Sequence, residues 1–228
     1  MLLAIDTATH FMSLALHDGK TLLAEQAWRC GNQHNLLLAP SIQQLLAVCD
    51  VTPQDLSAIA VTKGPGSYTG LRIGIALAKG MASSANLPLV GISTLDVLAL
   101  SAPTSKATQL ICAVQAGRGR ILYAPYEQKK GAWHASAEPT ISEWATLLPT
   151  LEEGTRITGE VDDKGMALLT ERGVKVQLVD APARLRRAGI LAQEAWRQLT
   201  ETDGADWLSH FDPAKLVPVY VNTASVAS

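Results

Sequence analysis

Lys63-Gly64-Pro65-Gly66-Ser67-Tyr68-Thr69-Gly70-Leu71-Arg72-Ile73-Gly74 is the stretch of this 228-residue chain whose residue types and spacing bear most directly on chemistry. The β-branched run Ala58 to Thr62 before it predicts a strand and a helix is expected from about Tyr68, so the glycines stand where the backbone turns tightly. Ser67 can cap that helix, and amides freed at a helix start can hold an anion. Two readings stay open here: an anion site built on Gly66 and Ser67, and a plain tight turn leading into a capped helix. A Walker loop is excluded, because Leu71 follows Gly70 where a Lys-Ser/Thr pair is required, and G-x-G-x-x-G is absent as well.

Metal and nucleophile chemistry find less support. Two imidazoles one helical turn apart can share a metal, but His34 is followed one turn on by Leu38. His10, His17, His134 and His210 have no ligand-spaced partner, so no metal site is expected. Cys30, Cys49 and Cys112 form no C-x-x-C pair and read as small buried apolar residues in a reducing compartment. Nucleophilic triads meet only in three dimensions, so spacing establishes none. Arg184, Arg186 and Arg187, with Arg197 on the same expected helix, form one basic cluster that reads as a solvated helix face. Arg118 and Arg120 lie on an expected turn within reach of RNA phosphates or a partner's carboxylates, without the interleaved aromatics that stack bases.

The elements that must position these residues follow from periodicity and turn signals. Leu2 to Ile5 predicts a short buried strand, and Phe11 to Leu16 with Thr21 to Gln26 a hairpin around Asp18-Gly19. A helix is expected over residues 35–49, a strand over 58–62, a helix over 68–84 and a strand over 89–92. Ser93 with Asp96 resembles a capping box opening a third helix, and Pro103-Thr104-Ser105 reads as a linker. Beyond it come strands at 109–114, 121–126 and 133–137, a helix at 142–148, a strand at 156–158, a helix at 163–171, a strand at 174–179 and a helix at 183–200. Both halves run strand, strand, strand, helix, strand, helix, strand, helix. That order is similar to the duplicated architecture of actin, the sugar kinases and Hsp70. The expected fold class is therefore α/β, an actin-like, ribonuclease H-like (ASKHA) two-lobe fold of mixed sheets flanked by helices, with lobes 1–102 and 103–228.

Bulk properties narrow the function further. Net charge is −2, so no global field argues for nucleic acid. The opening apolar run is broken by Asp6, lacks a basic leader, and no stretch approaches the roughly 20 apolar residues of a membrane span, so a soluble, cytoplasmic protein with no membrane contact is expected. Five of the 19 Lys/Arg and six of the 21 Asp/Glu fall in residues 1–101. A half so poor in charge has either a larger shared core or an outer surface covered by another protein.

The Lys63–Gly74 stretch resembles the GPGS-[FY]-TGLR-[IV]-G signature of the TsaB family. The resemblance extends to Leu3-Ala4-Ile5-Asp6-Thr7-Ala8-Thr9, to Gln33-His34-Asn35 with Leu37-Leu38-Ala39-Pro40, to Gly91-Ile92-Ser93-Thr94-Leu95 and to Leu216-Val217-Pro218-Val219-Tyr220. Gln115-Ala116-Gly117-Arg118-Gly119-Arg120 is similar to the family's DAR-type turn, with Gln115 where the family has Asp. The resemblance implies a non-catalytic scaffold that pairs with a homologous TsaD-like catalytic subunit and is joined by a TsaE-like ATPase. Together they place a threonylcarbamoyl group on the adenosine beside the anticodon, and tRNA is met mainly through the complex. It further implies a homodimer when the chain is alone and no cofactor. The catalytic relatives carry a His-x-x-x-His metal pair, which His34 and Leu38 cannot form. Related kinases use an Asp in the position of Asp6 to organise Mg²⁺ and phosphates, so Asp6 is read either as such an anchor or as a structural cap of the strand end, and with Gly66 and Ser67 of the anion reading it completes the candidates for a nucleotide site. The alternative within the same superfamily is an ATP-binding enzyme or a metallopeptidase-like hydrolase.

On a helical wheel the 68–84 segment is apolar over more than half its circumference, wider than one sheet covers. Gly70, Gly74 and Ala78 recur every four residues and suggest a groove for close helix approach. The expected partner interface is therefore Leu36, Leu37, Pro40, Gly70, Leu71, Ile73, Gly74, Leu77 and Ala78, joining four helices from two homologous subunits.

Overall fold

The structure is a computed structural model and describes residues 1–104, 107, 109–171 and 176–221. In chain order its elements are β1 (Leu2–Asp6), β2 (Phe11–His17), β3 (Leu22–Arg29), α1 (His34–Val48), β4 (Ala58–Thr62), α2 (Tyr68–Ala85), β5 (Leu89–Ile92) and α3 (Thr94–Ser101). There follow β6 (Gln109–Gln115), β7 (Ile121–Lys129), β8 (Ala132–Ala135), β9 (Thr140–Ser142), α4 (Trp144–Leu147), β10 (Arg156–Gly159), α5 (Asp163–Glu171), β11 (Gln177–Leu178), α6 (Ala188–Glu201) and α7 (Trp207–His210). Ser105 of the expected linker and residues 174–175 of the expected strand 174–179 lie outside the described residues. No helix among the described residues is long and apolar enough to cross a membrane.

Contacts divide the described residues into two units, those within 1–94 and 187–219 and those within 95–186 and 220–221. In the first, the sheet order is β3-β2-β1-β4-β5, with β1 antiparallel to β2 and parallel to β4. In the second, β6 plays the part of β1: it lies between antiparallel β7 and parallel β10, with β8 and β11 outside them. The short β9 adds to β7. This is the α/β architecture of the actin-like, ribonuclease H-like class, present twice.

The division differs from a cut after residue 102. Leu95, Leu98, Ala99 and Ala102 of α3 and its end pack with Leu110, Cys112 and Leu122 of the second sheet. Helix α6, expected in the second lobe, packs instead across β1, β2 and β3 of the first. The sheet face opposite α1 carries small side chains, Ala4, Ser13, Ala15, Ala58 and Ala60, which let a helix lie close, and Ser13 Oγ accepts from Ala188 N at 2.8 Å. The helix also begins five residues later than expected, because residues 181–184 form a 3₁₀ turn containing Pro182.

Helices α1 and α2 cover the other face of the first sheet. Leu3, Ile5, Met12, Leu14, Ile59 and Val61 from the strands meet Leu38, Ile42, Leu45, Leu71, Ile75 and Ala78 from the helices in one core. Apolar residues recurring every three or four positions make each helix present one buried stripe.

Candidate functional site

The residues expected to do chemistry converge on the end of β1, where they brace one another. Asp6, almost fully buried, accepts from Ala8 N at 2.9 Å and from Thr62 Oγ1 at 3.2 Å, tying β1 to β4. Thr7 donates its hydroxyl to Gly70 O at 2.8 Å. Ser67 donates its amide to Ala8 O at 2.6 Å, and its hydroxyl accepts from Gly70 N at 3.2 Å. The turn is fastened on further sides by Lys63 N to Ile92 O, Thr94 N to Gly64 O and Val219 N to Lys63 O.

Glycine is required along this seam by close approach. A Cβ at Gly66 would overlap Ala8 O, one at Gly70 would overlap Thr7 O, and one at Gly74 would overlap Thr7 Oγ1. Gly64 has φ +103°, and a Cβ there would sit 2.5 Å from Val219 O. The glycines thus let α2 lie against residues 7–8. The Ser67 amide, which an anion site would need, is given to the backbone.

His34 begins α1 and is buried. Its Nε2 lies 2.8 Å from Thr9 O, which can only accept, so Nε2 carries the proton. Cys30 Sγ is 3.2 Å from the same nitrogen. Burial pushes the imidazole pKa down, with His10 acting in the same direction against Thr9 and Asp6, and burial pushes the Cys30 thiol up. The pair is a neutral strut between the β1–β2 loop, the residue that follows β3, and α1. Leu38, where a second ligand would stand, is in the core, and no group of three His, Cys, Asp or Glu among the described residues could hold a metal ion. Sequence reading missed the Cys30–His34 contact, whose signal is a Cys four residues before a helix-opening His.

The expected interface residues separate into an inner and an outer set. Gly70, Leu71, Gly74 and Ala78 are buried against the chain's own sheet and the end of β1. This corrects the expected groove: the small-residue row faces inward, because α2 must pass close to Thr7. Leu37, Ile73 and Leu77 are half-buried at the flank of the core, and Pro40 and Leu36 are exposed, Leu36 at 66 %. Val48 at 76 % and Tyr68 at 56 % extend the outer surface, with Ala39, Ala47, Ala76 and Gly80. The 15 residues of α1 contain no charged side chain and the 18 of α2 contain only Arg72 and Lys79. Solvated surfaces ordinarily carry about 25–35% charged residues, so this outer face resembles one meant to be covered.

The expected basic helix face does not form. Arg186 is buried with Nη1 3.3 Å from Glu160 Oε1, Arg187 pairs with Glu25, and Arg197 binds Glu194 at 2.7 Å and Glu201 at 2.5 Å. Arg184 lies in the 3₁₀ turn before α6. Arg118 and Arg120 flank Gly119 at the tip of the β6–β7 hairpin, Arg118 with φ +56°.

A family model described as TsaD: tRNA N6-adenosine threonylcarbamoyltransferase matches residues 29–177. The chain is 38% identical over 135 residues to the tRNA threonylcarbamoyladenosine biosynthesis protein TsaB of Escherichia coli, an alignment covering 58% of each chain. It therefore spans little more than half the length of that relative. Against the TsaB protein of Buchnera aphidicola subsp. Schizaphis graminum it is 35% identical over 201 residues, covering 87% of this chain and 80% of that one. In fold it matches a crystal structure of a Pseudomonas aeruginosa protein described as similar to peptidase YEAZ, with TM-score 0.72, 23% identity, and 97% and 99% of the two chains covered.

Proposed function

The chain belongs to the TsaB (YeaZ) family, and on that premise we propose that it serves tRNA threonylcarbamoyladenosine formation as a scaffold subunit without a catalytic site of its own. In this reading it binds and activates a TsaD-type threonylcarbamoyltransferase through the outer face of α1 and α2. It is joined by a TsaE-like ATPase, pairs with itself when alone, and meets tRNA mainly through the complex in the cytoplasm. The observation that carries the reading is the near absence of charge on two helices that cover one face of the first sheet. Burying such a face costs little desolvation, and Leu36, Leu37, Ile73 and Leu77 supply apolar area at about 25 cal/mol per Å². The inward engagement of Asp6, Ser67 and His34 supports a structural use of the groups an enzyme of this class would turn toward substrate.

Reconstitution tests the proposal directly. Modification of tRNA by the TsaD-type subunit should depend on adding this chain, and the Leu36→Asp chain should fail to support it while keeping the wild-type unfolding midpoint. Tight Mg-ATP binding by the isolated chain in calorimetry, or stoichiometric metal, would instead identify an ATP-binding enzyme or a metallopeptidase-like hydrolase.

A further inference from the structure

Arg72 holds a special place on the outer face. Its guanidinium carbon stands 4.6 Å from the centroid of the Tyr68 ring, one helical turn earlier, and both side chains are exposed. No carboxylate of the described residues pairs with it. Lys79, the other cation of the two helices, donates to Ala214 O at 3.3 Å. Neither helix contains Asp or Glu. Just off the helices stand Asp50, beyond the end of α1, and Asp212, which caps the 3₁₀ turn Pro213–Lys215 packed on α2 and whose carboxylate accepts from Ala214 N at 2.8 Å.

Resting on the reading of this face as the partner interface, we propose that Arg72, oriented by Tyr68, is its specificity-determining residue. It favours a partner whose facing helices offer a carboxylate over a second copy of this chain. A stacked, planar guanidinium loses little rotamer freedom on binding and matches a carboxylate with two parallel hydrogen bonds. Against a second copy, two Arg72 side chains are brought under cover and no helix-borne carboxylate meets either of them. Desolvation without an anion then opposes self-pairing, and the like charges repel. The apolar residues Leu36, Leu37, Ile73 and Leu77 are the same in both pairings, so self-pairing is weakened rather than forbidden. The charge separates right partner from wrong one, while the apolar surface supplies the attraction common to both.

The test measures both associations by sedimentation and native mass spectrometry, with wild type, R72E and R72K. Raising salt from about 50 to about 300 mM should weaken pairing with the TsaD-type subunit and tighten self-pairing, since screening removes an attraction in one case and a repulsion in the other. R72E should lower affinity for the TsaD-type subunit at least tenfold and R72K by less, and R72E mixed with wild type should form the mixed dimer in preference to either homodimer. An R72E affinity within twofold of wild type overturns the proposal. So does loss of tRNA retention by an R72E complex that still assembles normally, which would assign Arg72 to an RNA phosphate. Leu36→Asp separates the two levels: if it leaves both associations intact, the face is no interface and the functional reading falls as well. If it abolishes pairing while R72E does not, the role of Arg72 alone falls.

Discussion

Gly74→Ala distinguishes the two ways a row of small residues can be used. Were Gly70, Gly74 and Ala78 an outward groove for a partner helix, the added methyl would weaken association and stabilise α2 by about 1 kcal/mol through helix propensity. The structure places a Cβ at position 74 in overlap with Thr7 Oγ1 and 3.2 Å from Thr7 Cβ, and Thr7 is fully buried. Thr7 must rotate and forfeit its 2.8 Å bond to Gly70 O, or α2 must lift from the sheet. The lost bond is worth about 1 kcal/mol, or more if the oxygen stays unpaired, and overpacking costs about 1–3 kcal/mol. After the propensity gain, a net loss of roughly 1–3 kcal/mol remains, and each kcal/mol moves the midpoint by about 2–4 °C in a chain of this size. Urea and thermal unfolding followed by circular dichroism measure it. Thr7→Ala removes the overlapping oxygen, so the double variant should recover about 1 kcal/mol or more of the loss in a double-mutant cycle. A Gly74→Ala protein as stable as wild type but weakened in association would refute the inward placement.

His34 predicts a pH dependence whose sign follows from its burial. The folded imidazole has a depressed pKa, while the unfolded one titrates near 6.5. Its contribution is therefore complete above about pH 6.5 and is lost as pH falls toward the folded value, with a slope approaching about 1.4 kcal/mol per pH unit. His34→Gln keeps a donor for Thr9 O without titrating and should flatten urea midpoints between pH 5 and 7; an unchanged slope would assign the titration elsewhere. Asp18, held low by backbone hydrogen bonds from Thr21 and Lys20, and Asp55, held low by Thr52, act only below about pH 4 and leave that window clear. Glu160→Ala removes a carboxylate that meets the buried Arg186 guanidinium and accepts from Gln115 N, and should cost about 1–3 kcal/mol by chemical denaturation. A loss under about 0.5 kcal/mol would mean Arg186 behaves as a solvated charge.

What the sequence reveals about this fold depends on the range of the interaction responsible. Strand β4, strand β5 and helix α5 begin and end where local pattern places them, because β-branched runs and capping residues act within a few positions. The start of α6 is misplaced, since Pro182 turns residues 181–184 into a 3₁₀ segment and the packing that fixes the helix comes from Ser13, 175 positions away. The grouping of α3 with the second unit and α6 with the first is a topological choice that no local window contains. Arg186 illustrates the same limit in charge: three arginines close in sequence read as a solvated cluster, yet one is buried against Glu160, 26 residues back. In the site, the periodicity of Gly70, Gly74 and Ala78 was legible but its direction was not. A glycine row means close approach by some backbone, and only the fold reveals that the backbone is the chain's own.

A polar group near a strand end can be an internal brace or a hand held out to substrate, and hydrogen-bond geometry decides between them. Asp6, Ser67 and His34 are of types that could meet a phosphate or a metal, and each is bonded to residues 7–9 or to the strand beside them. Turning any of these groups toward a ligand would break a junction between β1, β4, α1 and α2. Removing a partner from a buried donor or acceptor costs about 1–3 kcal/mol each, and the three junctions share one core. Chemistry at this place would therefore compete with the packing that holds the two outer helices on the sheet. The outer face escapes that conflict: Leu36, Val48 and Arg72 project from helices whose inner stripes already secure them, so a partner can be gained there without loosening the fold beneath.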